Sequence, residues 1–305
     1  MPEVCRFAPS TTGSAHPGTL LAGLLAWLDA RSRGARFVLR LEDLDPERCQ
    51  PVFATQMLED LRWFGLDWDL LEQQSRHAVG HQAALLQLVH AGRVYRCNCS
   101  RAQIKAHGLP GADGGYAYPN LCRPNVVTPT NFAAPGVLRV RLDEGEISAQ
   151  DESGQSLSQN PSTALGDPVV RRRDGAFAYN FAVVVDDGRI GVTRVVRGRD
   201  IAPSTATQVI LQRLLALPTP TYRHHLLLLE ERGDKLAKLH GAIGVRALRA
   251  QYTAAELCGV LAQGAGLNPE GKPLMPRALL AGFAWERVPS FDQTLRVEGG
   301  RLYWR

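Results

Sequence analysis

Apolar and polar positions divide the front of the chain into strand, turn and helix. Residues 4–7 are mostly apolar and read as a buried strand. Residues 8–19 are small or polar, with His16, Pro17 and Gly18 near their end, and residues 18–33 hold a long apolar run that closes in charge and reads as a helix. Phe37-Val38-Leu39-Arg40-Leu41 is β-branched, aromatic or large and apolar at all but one position and predicts a second strand. Strand, helix, strand is a βαβ unit, which predicts a parallel sheet with its ligand site at the carboxyl ends of the strands. Phe53, Met57, Leu61 and Phe64 recur at helical spacing and predict an amphipathic helix over 52–64. Another helix is predicted over 77–91. His77 and His81 lie four apart on it without the glutamate of the zincin arrangement, so they read as surface histidines.

Beyond residue 122 the rhythm changes. Pro124, Pro129, Pro135 and Pro161 interrupt residues 123–168, where 137–142 alternate as a strand with arginines on one face. This is an insertion or connective lobe, either a surface for a nucleic-acid partner or a solvated hairpin. Residues 169–187 predict a β-hairpin turning at Asp174-Gly175, its nearly all-apolar second arm central in a sheet. Strands over 192–196 and 222–229 flank a helix from Ser204 to Leu217, which Pro218 and Pro220 end; short helices follow at 253–263 and 276–283, and 295–305 is mixed.

Composition narrows the class. The chain has 305 residues, 45% hydrophobic and 21% charged, as in a soluble globular protein of one large domain or two smaller ones. No apolar run approaches the ~20 residues of a membrane span. The start lacks a basic segment followed by an apolar one, so the cytoplasm is the expected location. A net charge of +5 suits a polyanionic partner without identifying one. Of the six cysteines, Cys5, Cys49 and Cys258 are scattered and read as buried small hydrophobes, whereas Cys97, Cys99 and Cys122 share one segment. In a reducing compartment such a cluster reads as a metal site before a disulfide. Three thiolates leave a zinc site one ligand short. His107, Asp113, Tyr116 and Tyr118 are the local choices, with His107 the default by chemistry; three free cysteines under a loop is the alternative. The Gly/Pro-rich residues 108–115 have little capacity for a core and would benefit from a metal clip.

The turn over residues 8–19 suits phosphate, because free backbone N–H groups and a helix N-terminus meet there. It is not a Walker loop, since no Gly-Lys-Ser/Thr ends it. Glu42, Asp43 and Asp45 sit where a parallel sheet places its ligands, yet alone they read as a solvated acidic turn, with Pro46 placed to start the next helix. Lys235 and Lys238, three apart after a strand, could clamp a polyphosphate, although such pairs are common on surfaces.

Taken together, Arg6 to Ser10 with His16-Pro17-Gly18-Thr19, Arg40 to Asp45, Tyr179-Asn180, Val196-Arg197-Gly198 and Lys235-Leu236-Ala237-Lys238 resemble the class I glutamyl-tRNA synthetases. The first block is similar to the HIGH signature and the last to the KMSKS loop. Cys97-x-Cys99 with Tyr118 and Cys122 is similar to the zinc site of the short paralogues, the glutamyl-Q tRNA(Asp) synthetases.

The resemblance implies an α/β fold. Residues 1–240 would form a Rossmann-like class I catalytic domain, with a zinc-binding segment at 97–122 and a connective insertion at about 123–168. Residues 241–305 would form a short helical appendix without an anticodon-binding domain. It implies that Arg6, Phe7, Ala8, Pro9, Ser10, Glu42, Tyr179 and Arg197 bind glutamate. His16, Gly18, Thr19, Lys235 and Lys238 would bind ATP and its Mg²⁺, and Cys97, Cys99, Tyr118 and Cys122 would hold one structural Zn²⁺. Glu42 would then meet the substrate ammonium, and Arg6 and Arg197 its carboxylates. The implied reaction is ATP-dependent activation of glutamate without tRNA, then transfer to queuosine at the wobble position of tRNA(Asp), by a monomer. Charging of a tRNA 3′ end by a minimal catalytic body, and a non-catalytic remnant that binds RNA or amino acid, are the alternatives. The chain departs from the family pattern at Thr11, Thr19, Ala237 and Leu239, and in the extra Gly/Pro-rich piece of the zinc loop.

Overall fold

The first strand and the helix after it set the frame of a parallel sheet. In this computed structural model, which describes residues 2–230 and 244–304, the order begins β1 (Val4–Phe7), α1 (Pro17–Ser32), β2 (Arg36–Leu41), α2 (Pro51–Phe64) and β3 (Leu70–Gln73). There follow α3 (Ala78–His90), β4 (Val94–Cys97), α4 (Arg101–His107), β5 (Val137–Val140), α5 (Pro161–Ala164), β6 (Val169–Arg171) and α6 (Tyr179–Ile190). The order closes with β7 (Arg194–Gly198), α7 (Thr205–Leu214), β8 (Thr221–His225), β9 (Leu228–Glu230), α8 (Val245–Leu248), α9 (Ala254–Gly264), β10 (Gln293–Glu298) and β11 (Arg301–Trp304). The chain divides into two compact units. The first comprises Met1–Gln73, Arg194–Arg199 and Tyr222–Arg305, and the second Gln74–Thr193 and Asp200–Thr221.

The first unit is built on a five-stranded sheet of order β3-β2-β1-β7-β8, in which β1 runs parallel to β2 and β7, and β2 parallel to β3. Successive side chains on a strand point to opposite faces. Cys5 and Phe7, Phe37, Leu39 and Leu41, and Val196 pack into one apolar core with Leu20, Leu21, Leu24, Leu25 and Leu28 of α1. Each such leucine contributes roughly 1.5–3 kcal/mol on burial. The alternate positions Arg6, Arg40 and Arg197 lie on the other face and are nonetheless buried, at 4%, 0% and 6% exposure. On the core side Arg194 meets Asp29 of α1, Nε to Oδ2 at 2.5 Å and Nη2 to Oδ1 at 2.9 Å, and the indole N–H of Trp285 donates to Asp29 Oδ1 at 2.6 Å.

The C-terminal residues belong to this same unit rather than to a separate helical appendix beginning at 241. Leu257, Leu261, Leu279, Leu295 and Leu302 complete the α1 core. The segment is also not wholly helical: β10 pairs in parallel with β9 and antiparallel with β11. No helix starts at Pro46. Residues 46–48 form a turn in which the N–H groups of Arg48 and Cys49 donate to Asp45 O, and α2 begins at Pro51.

In the second unit an antiparallel sheet of order β4-β5-β6 is accompanied by α3, α6 and α7. The expected hairpin over 169–187 is present only in its first arm. Arg171 bridges to Phe177, and the apolar run after it is the helix α6, not a central strand. A short β-branched run cannot be assigned by periodicity alone, and here packing against α3 and α7 decides it. His81 is not a surface residue either. It is fully buried, with Nε2 3.0 Å from Asp186 Oδ1 of α6, and Gln74 Nε2 donates to Asp186 Oδ2 at 2.8 Å.

Removing one partner of a buried ion pair leaves the other uncompensated. Asp29→Ala is therefore expected to cost about 3–5 kcal/mol in urea denaturation. Trp285→Phe, which removes a single donor to the same carboxylate, is expected to cost about 1 kcal/mol.

Candidate active site and metal centre

The first part of the candidate site begins where β1 ends. From Phe7 the chain runs through Ala8, Pro9 and Ser10 alongside the end of β2. There the Glu42 N–H donates to Pro9 O at 3.0 Å, the Thr11 N–H donates to Glu42 O at 3.1 Å, and Ser10 pairs with Glu42 as a parallel bridge. The Glu42 backbone is fixed between these bonds, and its Oε1 accepts from Arg40 Nη2 at 3.2 Å. Glu42 is therefore held in place and not a freely solvated turn residue. Arg6 pairs in register with Val38 and Val195, which places it on the same sheet face as Arg40 and Arg197. The Arg197 guanidinium donates through Nε to His224 Nε2 at 3.0 Å and lies over the Tyr222 ring, 5.1 Å from its centre.

The second part of the candidate site lies at the start of α1. His16 is the N-cap residue, its backbone carbonyl accepting from Thr19 N–H and Leu20 N–H, and Pro17 occupies the first turn. Burial holds the His16 imidazole below its ordinary pKa, which keeps the ring neutral at pH 7. Its Nδ1 is buried and has no hydrogen-bond partner among the described residues. Gly18 makes room for the ring, since a Cβ there would lie 3.0 Å from His16 Cε1 and 3.1 Å from Nδ1. An imidazole nitrogen beside a helix N-terminus is suited to phosphate oxygens.

Of the expected site residues, Arg6 to Ser10, Glu42 and Arg197 thus share one sheet and its carboxyl edge, with His16, Gly18 and Thr19 on the helix that follows. Tyr179 stands in the first turn of α6, in the second unit. Lys235 and Lys238 lie outside the described residues.

The candidate metal centre lies wholly in the second unit. The Sγ atoms of Cys97, Cys99 and Cys122 lie within 4.8 Å of one another. Tyr118 Oη accepts the Cys97 thiol at 3.4 Å and the Cys122 N–H at 3.0 Å, and lies 3.9 Å from Cys99 Sγ. Four donors at such separations fit a tetrahedral ion with bonds of about 2.0–2.3 Å. His107 is turned away, its Nδ1 3.3 Å from Gln103 O on the exposed helix α4, and Tyr116 is exposed beside Lys105. Burial pushes the Cys122 thiol up, but hydrogen bonds from Tyr118, Asn98 and the other two cysteines outweigh it and bring the pKa to about 7. Burial, with the hydrogen bond to Cys122, pushes Cys99 up to about 11.

Tyr118 is held from three sides. Its N–H donates to Leu165 O at 2.9 Å, and the Arg139 guanidinium lies 3.6 Å over its ring. Gly166, at φ +77°, passes so close that a Cβ would lie 2.1 Å from Tyr118 O, so only glycine fits. Buried Asp167 ties this frame together by accepting from Tyr95 Oη at 2.8 Å, Arg123 Nε at 2.7 Å and Leu142 N–H at 2.9 Å.

The family described as tRNA synthetases class I (E and Q), catalytic domain, matches residues 4–256. A curated relative from Symbiobacterium thermophilum, named glutamyl-Q tRNA(Asp) synthetase, is 41% identical over 305 aligned residues that cover 93% of each chain. Another of that name, from Nitratidesulfovibrio vulgaris, is 39% identical over 303 residues, again covering 93% of each chain. The chain belongs to the glutamyl-Q tRNA(Asp) synthetase family. Its fold is that of the class I catalytic domain. A glutamate tRNA ligase from Elizabethkingia meningosepticum, solved with its amino acid, superposes with a TM-score of 0.77 at 23% identity, covering 94% of this chain and 66% of that one. The glutamate-tRNA synthetase of Elizabethkingia anophelis gives the same TM-score and covers 67% of that chain.

For a glutamyl-Q tRNA(Asp) synthetase family member, sequence reasoning named candidate ligand-facing groups but not the residues packed around them. Arg40, His224, Arg139, Asp167 and Gly166 were missed. The alternation over 137–142 set Arg139 on an arginine face with Arg141, yet Arg139 is buried and Arg141 exposed. An arginine inside an otherwise apolar strand, as at Arg40, was the available signal, since a buried guanidinium demands a partner.

Gly18→Ala separates stability from activity. Alanine is the better helix former by up to about 1 kcal/mol, so the melting temperature is expected to hold or rise. The displaced His16 ring is expected to lower glutamate-dependent ATP–pyrophosphate exchange about tenfold or more. Full exchange in the alanine variant would show that the ring position does not matter.

Proposed function

We propose that this chain activates L-glutamate with ATP, without requiring tRNA, and transfers the glutamyl group to queuosine at the wobble position of tRNA(Asp). The observation that carries the reading is the convergence of buried arginines and one fixed carboxylate at the end of the sheet, in a chain about 40% identical to relatives of that name over nine-tenths of its length. Glutamate has two carboxylates and one ammonium. Arg6 and Arg197 suit the carboxylates, because guanidinium binds them with two hydrogen bonds, and Glu42 suits the ammonium. Ser10 and the backbone of Phe7, Ala8 and Pro9 form the wall beside them. Tyr179 is assigned a hydrogen bond to the amino acid by family resemblance alone.

In the first step an α-carboxylate oxygen bonds to the α-phosphorus of ATP and the bond to pyrophosphate breaks. Such a transfer depends on positioning and charge neutralisation more than on a general base. Neutral His16, with Gly18 and Thr19 at the start of α1, holds phosphate oxygens. Lys235 and Lys238 are assigned to the same phosphates, and Mg²⁺ accompanies ATP. In the second step a queuosine hydroxyl oxygen bonds to the activated carbonyl and AMP leaves.

Cys97, Cys99, Cys122 and Tyr118 hold one Zn²⁺ in this reading. Four protein ligands leave no open coordination position, so the ion supports the loop and takes no part in the chemistry. The protein acts as a monomer in the cytoplasm. No helix among the described residues is long and apolar enough to cross a membrane.

Purified protein is expected to catalyse glutamate-dependent ATP–pyrophosphate exchange with no RNA added. It should then label tRNA(Asp) with radioactive glutamate only when the tRNA carries queuosine. Labelling at the 3′ end, independent of queuosine, would point instead to a minimal charging enzyme, and absence of exchange would indicate a binding protein. Metal analysis is expected to find one zinc in the native chain. Cys99→Ser and Cys122→Ser should lose it, while Tyr118→Phe should bind it about 10–100-fold more weakly. A Cys99→Ser protein that keeps its full zinc would refute the ligand set.

A further inference from the structure

The contact between Arg197 and His224 fixes more than a side-chain rotamer. Tyr222 and His224 lie two apart on β8, so they project from the same face, and their rings stack at 7° with centres 6.4 Å apart. Arg197, on the neighbouring strand β7, sits against both. Its guanidinium lies over the Tyr222 ring, and its Nε–H points at His224 Nε2, 3.0 Å away. Both residues of this bond are nearly fully buried, at 6% exposure each. Arginine donates at every working pH, so Nε2 must supply a lone pair. The His224 ring in this arrangement is therefore the neutral tautomer with its proton on Nδ1.

An arginine can grip a carboxylate along either of two edges, through Nε and one Nη or through the two terminal Nη atoms. With Nε committed to His224, a two-pronged grip uses the terminal edge. The Tyr222 face meanwhile fixes the plane in which that edge lies. We propose that His224 is a positioning residue for substrate recognition: it aims Arg197 so that the terminal edge of the guanidinium receives a glutamate carboxylate. The inference rests on the reading of Arg197 as a carboxylate-binding residue. The motifs that carry the family resemblance include neither Tyr222 nor His224.

The test is direct glutamate binding to the full chain by titration calorimetry, with ATP binding measured alongside. His224→Phe keeps a flat ring on Tyr222 but offers no acceptor, and His224→Leu is a second acceptor-free variant should the first not fold. His224→Gln restores an acceptor oxygen within reach of Nε. The acceptor-free variants are expected to bind glutamate about tenfold more weakly, with ATP affinity unchanged and affinity largely recovered in His224→Gln. In an Arg197→Lys background, where no Nε–H remains, His224→Phe is expected to have no further effect. Native glutamate affinity in the acceptor-free variants would overturn the proposal, as would equal losses in the arginine and lysine backgrounds, or a loss that His224→Gln does not rescue. Failure of the underlying reading looks different: Arg197→Lys would itself leave glutamate affinity unchanged.

Discussion

A guanidinium group cannot shed its charge inside a protein, and four of them are buried in the first unit. Arg6, Arg40 and Arg197 lie on one face of the five-stranded sheet and Arg194 on the other, none more than 6% exposed. Burying an unpaired charge is prohibitively costly, so each such residue dictates what must stand beside it. Arg194 requires Asp29, and through Asp29 it draws in Trp285 from the far end of the sequence. Arg40 requires Glu42, whose backbone is in turn stitched to Pro9 and Thr11. Arg197 requires a neutral acceptor and finds it in His224. The two faces of the sheet therefore use the same residue type in different settings: on the α1 side Arg194 is held by the carboxylate of Asp29, while on the opposite face Arg40 meets Glu42 and Arg197 meets the neutral ring of His224.

The βαβ frame was legible in the chain because its signals are local. Residues 4–7, 18–33 and 37–41 carry the right period and the right punctuation, and β1, α1 and β2 lie within a residue or two of those bounds. The family resemblance could name candidate site residues for a related reason: they sit in short motifs, several of them at the ends of strands. Apart from Arg40, which contacts Glu42 two residues on, the supports were not legible, because they are contacts between residues far apart in sequence. His224 lies 27 positions from Arg197, and Asp186 lies 105 from His81. The last case also explains the misread second arm of the hairpin. Residues 181–185 are apolar and largely β-branched, which suits a central strand, but the same composition suits a helix buried on most sides. What distinguishes them is packing against α3 and α7, including the buried partnership of Asp186 with His81 and Gln74, and that is invisible to periodicity.

The metal loop shows the opposite balance between apolar and polar support. Between the end of β4 at Cys97 and the start of β5 at Val137 the only helix is α4, and none of its residues is buried. A connection of that length has a large closure entropy to overcome. A small apolar cluster of Tyr95, Cys97 and Tyr118, with Ile104 against it, holds part of it, and the rest is polar and local to the cysteines. The Ser100–Gln103 capping box starts α4 directly after Cys99, and Arg123, directly after Cys122, is bound through two nitrogens to Asp167. Tyr118 is fixed between Arg139 and the bare backbone of Gly166. The thiols are thus brought together by a frame that does not itself depend on them. A divalent ion would add to that frame by cross-linking Cys97, Tyr118 and Cys122 in one step, and the entropy it removes is that of the exposed residues 108–115, which nothing else ties down by apolar packing. A metal held there would therefore shape the loop between the cysteines.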